Sequence, residues 1–323
     1  MANTAGLYPP CSLLGPRSRQ PSQFQHSCVR DLAWCLSCPA IYRLAKTDNP
    51  HLGDPKQLWQ WLRRLDKQPQ ALLDAIAQQR SHRLGIYFET LLAFTLKNFL
   101  KPAKFYYALP VRQRGLTLGE YDFLLRRQGK PALLHLEISI KFYLGLPLQR
   151  GRAEWIGPNT SDRLTDKIDK MHQRQLRLSQ HPVAQQQLQR LGEQVGPCYG
   201  LMIGRLFYPL DKPKLRPPSG ALRGHLRGWW LRHSEQNSAL SEATSTEPNN
   251  SPVRLVSLQR RQWFAPLIAA EAEQLAAEAA ESPQENQPGM VARLILTSRG
   301  WREHDRGILV EDAWLDSVLE ALE

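Results

Sequence analysis

The chain has 323 residues, of which 42% are hydrophobic and 22% charged, which excludes a wholly disordered protein and allows one large domain or two modest ones. Its formal net charge of +12 attracts polyanions, so nucleic acid is the first partner to consider, although many basic proteins bind no anion specifically. The sequence lacks a run of about 18 uncharged apolar residues, so we expect no membrane-spanning helix.

The N-terminal segment, residues 1–27, has no basic start followed by a continuous apolar stretch, so it is a poor secretory signal, and we predict a flexible lead. A cytoplasmic protein with reduced thiols is therefore expected. Cys35 and Cys38 have the spacing of a zinc clamp, with Cys28 and His26 as further potential ligands. No second CxxC follows, and we favour cysteine as a small hydrophobic residue on a helix.

Apolar spacing predicts helices over residues 28–42, 54–80 and 83–100. Pro69 should divide the second helix, because proline removes a backbone donor and clashes with the preceding turn. The third helix is the most apolar of the three and should be largely buried.

The pattern then changes to that of strands. Residues 104–109 and 119–125 are extended, and a glycine-bearing turn follows at 126–131. Residues 132–144 are predicted to form a strand, since apolar and polar side chains alternate from Leu134 to Leu144, with Glu137 on the polar face.

The second half of the chain begins with helical spacing over residues 160–179, followed by a predicted buried strand at 198–210. Residues 234–252 are polar and lack large apolar side chains, which predicts a disordered loop or linker. The predicted organisation is α/β, with a mixed central sheet flanked by helices in a core over 28–233. A helix and strand portion over 253–323 should pack on that core.

Two strand carboxylates suggest a chemical site. Asp122 and Glu137 lie in apolar strands joined by a tight turn, so the strands should pair antiparallel and bring the two side by side. Two carboxylates in an apolar setting repel each other unless a cation intervenes. Lys141 shares the face of Glu137 and offers one positive charge, and Mg²⁺ or Mn²⁺ would offer another, since carboxylate oxygens are preferred ligands of such ions. Glu89, on the buried helix, is a further potential ligand.

This combination suits phosphodiester hydrolysis, in which a metal lowers the pKa of a bound water and a lysine positions or helps deprotonate it. The simpler alternative is a core ion pair in which Lys141 neutralises Asp122 or Glu137. Three acids and a lysine in a strand–turn–strand context favour a functional site over that alternative.

A helix with an acid, a strand with Asp122, and a strand with Glu137 and Lys141 together resemble the PD-(D/E)xK nuclease superfamily. Several blocks, among them LGIYFETLLAFTL, HLEISIKFYL and HLRGWWL, are similar to an uncharacterised bacterial family labelled domain of unknown function 1853. That family is grouped with the nuclease superfamily by fold similarity. The resemblance implies a restriction-endonuclease-like core and DNA as the partner.

The resemblance also implies roles for individual residues. The metal-binding aspartate falls on Asp122, the second acid on Glu137, the lysine on Lys141 and the helical glutamate on Glu89. Gln175 is similar to a glutamine that some members use near the substrate.

One departure from the superfamily pattern concerns the lysine. Three residues separate Glu137 from Lys141 instead of one, and Ser139 occupies the usual lysine position. Lys141 is therefore about 7 Å farther along the strand. Either its flexible stem reaches back to the site, or the site has lost hydrolysis and keeps only binding.

A basic and aromatic segment over residues 205–232 is a second candidate, for binding a phosphate backbone with stacked bases. Its candidate nucleic-acid contacts are Arg205, Lys212, Lys214, Arg223 and Arg227, interleaved with Phe207, Tyr208, Trp229 and Trp230. The two tryptophans can equally be core residues. Asp162, Asp166 and Lys167 can line the carboxylate cleft, but a charged run on a helix more often forms a solvated face.

These features predict a Mg²⁺-dependent DNA nuclease with Lys141, Glu137, Asp122, Glu89 and Gln175 at its site. The alternatives are an inactive nuclease fold that binds nucleic acid or acts as a scaffold, and a protein-binding adaptor. No P-loop, GxGxxG, GxSxG or HExxH motif occurs, which disfavours nucleotide-driven, dinucleotide, serine-hydrolase and zinc-protease functions.

Overall fold

The computed structural model describes residues 21–44, 53–79, 81–239, 241, 251–281 and 289–322. Most of the predicted N-terminal lead, and residues 240 and 242–250 of the predicted linker, lie outside the described residues. Within the described part, the protein is a mixed α/β fold.

The helices are numbered in chain order. They are α1 (Ser27–Ser37), α2 (Pro55–Lys67), α3 (Gln70–Ala77), α4 (Leu84–Thr95), α5 (Leu164–Gln173), α6 (Pro182–Arg190), α7 (Ala269–Glu281) and α8 (Asp312–Glu320). A π-helical turn over Leu96–Leu100 continues α4, and a 3₁₀ segment over Gln175–Gln180 follows α5.

The strands are likewise numbered in chain order. They are β1 (Ala40–Arg43), β2 (Lys104–Gln113), β3 (Leu116–Arg126), β4 (Leu133–Pro147), β5 (Ala153–Ile156), β6 (Val195–Pro209), β7 (Leu226–Arg232), β8 (Val253–Ser257), β9 (Gly289–Thr297) and β10 (Gly300–Val310).

The chain divides into two compact units. The first comprises the described residues within Met1–Lys141, Thr165–Gly204 and Gly220–His225, and the second those within Phe142–Leu164, Arg205–Ser219 and Leu226–Glu323. Strands β4 and β6 each contribute residues to both units. The sequence-based division at residues 28, 234 and 253 stays a prediction.

The helices of the first unit follow their sequence signals. Asp54 caps α2 by accepting a hydrogen bond from the Lys56 amide at 2.9 Å, and Pro55 takes the first helical position. The predicted break at Pro69 is confirmed, because α2 ends at Lys67 and α3 begins at Gln70. The predicted helix over 28–42 was too long: Pro39 follows α1, and the chain is extended from Ala40.

The strands of the first unit are ordered β2-β3-β4-β6, with β1 on β6. Strands β2 and β3 form an antiparallel hairpin, and β3 pairs antiparallel with β4 in the register Phe123↔Leu136. The strand predicted over 132–144 is confirmed and continues to Pro147. A core cluster that includes Val111, Tyr121 and Leu178 packs against this sheet.

The second unit contains a mixed sheet. Strand β7 is parallel to both β6 and β10, whereas β9 is antiparallel to both β10 and β8, and β5 pairs antiparallel with the end of β4. Trp229, Leu231 and Leu309 belong to its core cluster. The fully buried Arg306 is paired with Glu303 and donates to three backbone carbonyls.

Among the described residues, none of the helices combines the length and the apolar character needed to cross a lipid bilayer.

Candidate active site

The site is centred on Asp122 and Glu137, which face each other across β3 and β4. The backbone pairing of these strands ends at Phe123↔Leu136, one position before the two acids. From there the side chains take over the hydrogen bonds: the Asp122 amide donates to Glu137 Oε1 at 3.3 Å, and the Ile138 amide donates to Asp122 Oδ2 at 2.8 Å. Each carboxylate is therefore fixed by the backbone of the opposite strand.

The other neighbour of Asp122 is also distorted. On β2, Tyr107 pairs with Phe123 and Leu109 pairs with Tyr121, but Ala108 between them has a left-handed φ of 50°. A non-glycine residue in this region is uncommon and carries conformational strain, which tends to concentrate at functional sites. The sheet is thus irregular on both sides of Asp122.

The electrostatic environment of Asp122 disfavours its charge. Burial, followed by the negative charge of Glu137, raises the pKa of Asp122 from 3.8 to about 8. Glu89 raises this pKa further, whereas the Ile138 amide and the Lys167 ammonium lower it. At neutral pH Asp122 therefore keeps its proton for most of the time.

Glu137 is fully buried and held by two neighbouring side chains. Its Oε1 lies 2.7 Å from His135 Nε2, and its Oε2 accepts a hydrogen bond from Gln175 Nε2 at 2.7 Å. Gln175 Oε1 in turn accepts a hydrogen bond from Lys167 Nζ at 3.1 Å. The structure thus brings Gln175, placed near the substrate by the family resemblance, into contact with the central acid.

His135 and Cys198 extend this network. His135 Nδ1 lies 3.1 Å from Cys198 Sγ, which is also 3.3 Å from the Leu176 carbonyl oxygen. Burial, and then the charge of Glu137, raise the pKa of Cys198 to about 12, so its thiol stays protonated. His135 is a site residue that the sequence analysis did not assign, although its position two residues before Glu137 on one strand face indicated the contact.

The lysines are arranged differently from the sequence prediction. Of the two alternatives for Lys167, the structure favours the cleft over the solvated helix face, because Lys167 is half-buried and in electrostatic range of both Asp122 and Glu137. Burial, followed by the charge of Lys141, lowers the pKa of Lys167. Lys141 is half-buried on β4. The lysine that lowers the pKa of Asp122 is Lys167, because a helix from a distant part of the chain delivers it there.

Glu89 lies on α4 beside the two strand acids. Burial and then the charge of Glu120 raise the pKa of Glu89, with a smaller contribution from Glu137, whereas a hydrogen bond with Tyr107 lowers it. Glu89 is therefore within electrostatic range of the pair, and Tyr107 is its hydrogen-bonding neighbour. No sequence signal pointed to Tyr107, because its hydrogen bond with Glu89 joins two elements, β2 and α4.

No group of three or more histidine, cysteine or acidic side chains is arranged to hold a metal ion within the described residues. The site instead offers two adjacent carboxylates. Mg²⁺ is commonly held in this way, by one or two carboxylates, water molecules and substrate phosphate oxygens. In the part of the chain that the structure describes, Asp122 Oδ1 has no hydrogen-bond partner and is not fully buried, which leaves it available to a cation.

The comparisons with known proteins give one match. The family model described as Domain of unknown function (DUF1853) matches residues 30–310. The chain belongs to this family. No curated protein matches it, and no solved structure matches it. Every residue of the site described above lies inside the matched range of this DUF1853 protein.

The cysteines of this DUF1853 protein that raised a zinc alternative are buried in or next to α1. Cys28, Cys35 and Cys38 are each at most 5% exposed, and each is a thiol outside any disulfide. Burial is the largest cause of the raised pKa of Cys28 and of Cys35, which disfavours the thiolate that zinc requires. The structure places them where small hydrophobic residues would lie.

The basic and aromatic segment is built mainly for packing. Phe207, Tyr208, Trp229 and Trp230 are each at most 8% exposed, so the expectation that they stack on bases was wrong. Trp229 belongs to the hydrophobic core cluster of the second unit, and the low exposure of the other three rings leaves little surface for a base.

The five basic residues proposed there are distributed over both units. Arg223 is exposed in the first unit. In the second unit, Arg227 stacks 3.3 Å over the Tyr208 ring and donates to the Pro213 carbonyl at 2.7 Å, and Arg205 donates to the Arg227 carbonyl at 2.9 Å. Lys212 and Lys214 are exposed. Their binding of nucleic acid stays a prediction.

Proposed function

We propose that this DUF1853 protein is a Mg²⁺-dependent nuclease that hydrolyses phosphodiester bonds of DNA on a PD-(D/E)xK-like core. The observation that carries the proposal is the coupling of Asp122 and Glu137, each hydrogen-bonded to the opposite strand, with Gln175 and Lys167 attached to the same network. Perturbed charges of this kind cluster at catalytic sites, although structural networks also produce them.

The residues fit a divalent cation. The charge of Glu137 raises the pKa of Asp122, so a dication beside the two would favour the ionised form of Asp122, and carboxylate oxygens are hard ligands of the kind Mg²⁺ prefers. Asp122 and Glu137 would hold the ion, with Glu89 acting through water. When bound, the ion would supply a water of lowered pKa and withdraw charge from the phosphoryl oxygens.

The side chains of this protein have separable roles in the proposed reaction. His135 and Gln175 fix the orientation of the Glu137 carboxylate. Lys167, whose pKa is lowered, is suited to position the attacking water or accept its proton. Water oxygen then attacks phosphorus, one P–O ester bond breaks, and the leaving oxygen takes a proton from solvent.

The test is cleavage of supercoiled plasmid DNA by the full chain in Mg²⁺ or Mn²⁺, with Asp122→Asn beside the wild type. We expect the substitution to reduce cleavage by at least about 1,000-fold, because it removes a ligand of the ion. Asp166→Asn is the matched control, since Asp166 is an exposed acid on α5. Equal cleavage by the wild type and Asp122→Asn would point to a contaminating nuclease and refute the proposal.

A second candidate function is nucleic-acid binding without hydrolysis. It is favoured by Ser139 at the usual lysine position and by the hydrogen bonds that already engage both oxygens of Glu137. This function predicts DNA binding that weakens steeply with salt, and no cleavage with either metal.

A further inference from the structure

The tip of the β2–β3 hairpin and one side of α6 line an open cavity of about 500 Å³ in the first unit. Three arginines line it, Arg112 and Arg114 from the hairpin and Arg190 from α6. The other lining side chains are neutral: Pro110, Gln113, Val183, Gln186 and Gln187. We call this feature the arginine cavity. It is not one of the basic sites expected from the sequence.

The three guanidinium groups are exposed and have no hydrogen-bond or ion-pair partner among the described residues. Three like charges around one concavity, without a described acid in its lining, concentrate positive potential there. Guanidinium groups bind phosphate through paired N–H donors, so the complementary ligand is a phosphate-bearing polyanion.

At the hairpin tip, Arg114 adopts a left-handed backbone conformation that non-glycine residues seldom adopt. Gln113 pairs with Leu116 across a two-residue turn in which Arg114 has φ 50° and Gly115 has φ 81°. Turns with two left-handed residues favour asparagine, aspartate or glycine at the first of them. Leu116 is 72% exposed beside these residues, so the tip presents apolar surface next to its positive charge.

The cavity is held in a fixed relation to the candidate active site. Gln187 donates a hydrogen bond to the Pro110 carbonyl at 3.1 Å, which ties α6 to β2. Ala108, the β2 residue beside Asp122, is four residues from Arg112, or about 13 Å along a strand. That length spans about four nucleotides of one DNA strand at 3.4 Å each.

From this geometry we propose that the arginine cavity binds the phosphate backbone of the nucleic-acid strand, about four nucleotides from the bond that is cut. The position of the cut rests on the function proposed above, whereas the binding does not. Exposed leucine beside arginine also suits an anionic membrane surface. The shared strand β2, which carries both the arginines and the neighbour of Asp122, favours nucleic acid.

The test is fluorescence anisotropy of a labelled 30-base-pair duplex with the full chain in Ca²⁺, so that binding is measured without turnover. We expect the triple variant Arg112→Gln, Arg114→Gln, Arg190→Gln to bind about 10- to 100-fold more weakly at 0.1 M salt. Its slope of log K against log salt should be smaller by up to about 2.7, because three phosphate contacts are lost.

The matched control removes the same charge elsewhere in the first unit. Arg63, Arg64 and Arg83 are exposed, and their triple replacement by glutamine should change the affinity no more than about threefold. Equal losses in both variants would show that only net charge matters and would overturn the proposal. Binding of anionic phosphatidylserine vesicles, but not of duplex, through the same arginines would overturn it in favour of a membrane surface.

The outcomes separate this proposal from the nuclease. If the arginine-cavity variant binds duplex like the wild type while Asp122→Asn still abolishes cleavage, the cavity proposal fails and the nuclease stands. If the wild type never cleaves but the variant loses binding, the nuclease fails and the cavity proposal stands.

Discussion

The carboxylate site and the basic segment over residues 205–232 are both rich in charge, yet the fold treats them in opposite ways. Around Asp122, acids converge in partly buried surroundings and raise one another's cost of ionisation. In the basic segment, arginines donate to backbone carbonyls and stack on a tyrosine ring. Acidic side chains that converge without a neutralising partner mark a candidate for ligand binding. Arginines that have hydrogen-bond and stacking partners within the fold serve stability.

The tryptophans of the basic segment follow the same rule. Trp229 Nε1 donates to Asp305 at 2.7 Å, and Trp230 Nε1 donates to the Gly145 carbonyl at 3.0 Å. Both indoles are therefore satisfied within the second unit and bury their rings in its core. We expect substitutions in this segment to act on stability and substitutions at the carboxylate site to act on function.

The largest expected contrast is between Glu137→Gln and Arg227→Gln. Removing the central negative charge should lower Mg²⁺-dependent plasmid cleavage by about 1,000-fold, because Glu137 is a proposed ligand of the ion. Arg227→Gln should leave cleavage within about threefold, since Arg227 has structural partners. Initial rates at saturating DNA measure both. Equal losses in the two variants would remove the functional distinction between the regions.

For the free energy of unfolding, the larger effect is expected from a substitution in the basic segment. Trp229→Ala should lower the free energy of unfolding by about 3–5 kcal/mol, as for other buried aromatic residues, and urea unfolding measures it. Trp229→Phe, the conservative control, should cost less because it keeps much of the buried area. A folded Trp229→Ala protein of unchanged stability but weakened DNA binding would instead support the base-stacking interpretation.

Within the carboxylate site, Lys167 and Lys141 are expected to contribute differently to the cleavage rate. Lys167→Met should reduce cleavage by about 10- to 100-fold, the range of a positioned proton-transfer group, whereas Lys141→Met should reduce it less. The reason is that Lys167 bonds to Gln175 and lowers the pKa of Asp122. Single-turnover rates and KM should be measured for both variants. A larger loss for Lys141→Met would restore the role that the family resemblance gives it.

The smallest expected effect is the pH dependence of stability. The raised pKa of Asp122 means that the folded protein holds this proton more tightly than the unfolded chain, so its contribution to stability falls as pH rises from about 4 towards 8. Asp122→Asn should therefore gain stability relative to the wild type over that range, as measured by urea unfolding at several pH values. Mg²⁺ should raise the melting temperature of the wild type at pH 8 and not that of Asp122→Asn.

For Asp312 on α8, which pairs with Arg232 at the end of the basic segment, the pH dependence has the opposite sign. Hydrogen bonds from Ser234, and then from Arg232, lower the pKa of Asp312, so its contribution is lost as pH falls through that pKa. Asp312→Asn should lose stability relative to the wild type near neutral pH and approach it in acid. A gain near neutral pH would contradict the assignment of these charges to stability.

Much of the site was predictable because it depends on local pattern. The alternation of β4 and the short turn before it placed Asp122 and Glu137 on facing strands, and the structure shows their contact. Pro69 likewise divided two helices as predicted, through its own backbone chemistry. The helix predicted to run to residue 42 failed because Pro39 ends α1 and the apolar residues after it pair with β6 instead.

The sequence by itself determined the mixed α/β class, the strand pair and the two acids, since period-two alternation and a tight turn act over neighbouring residues. Only the tertiary structure decided that Lys167 lies near Asp122, that Cys198 contacts His135, and that the aromatic residues of the basic segment are buried. The arginine cavity belongs to the same group, because it joins a hairpin tip to one side of α6. These contacts link residues tens of positions apart, and the spacing of residues along a chain does not encode which surfaces meet.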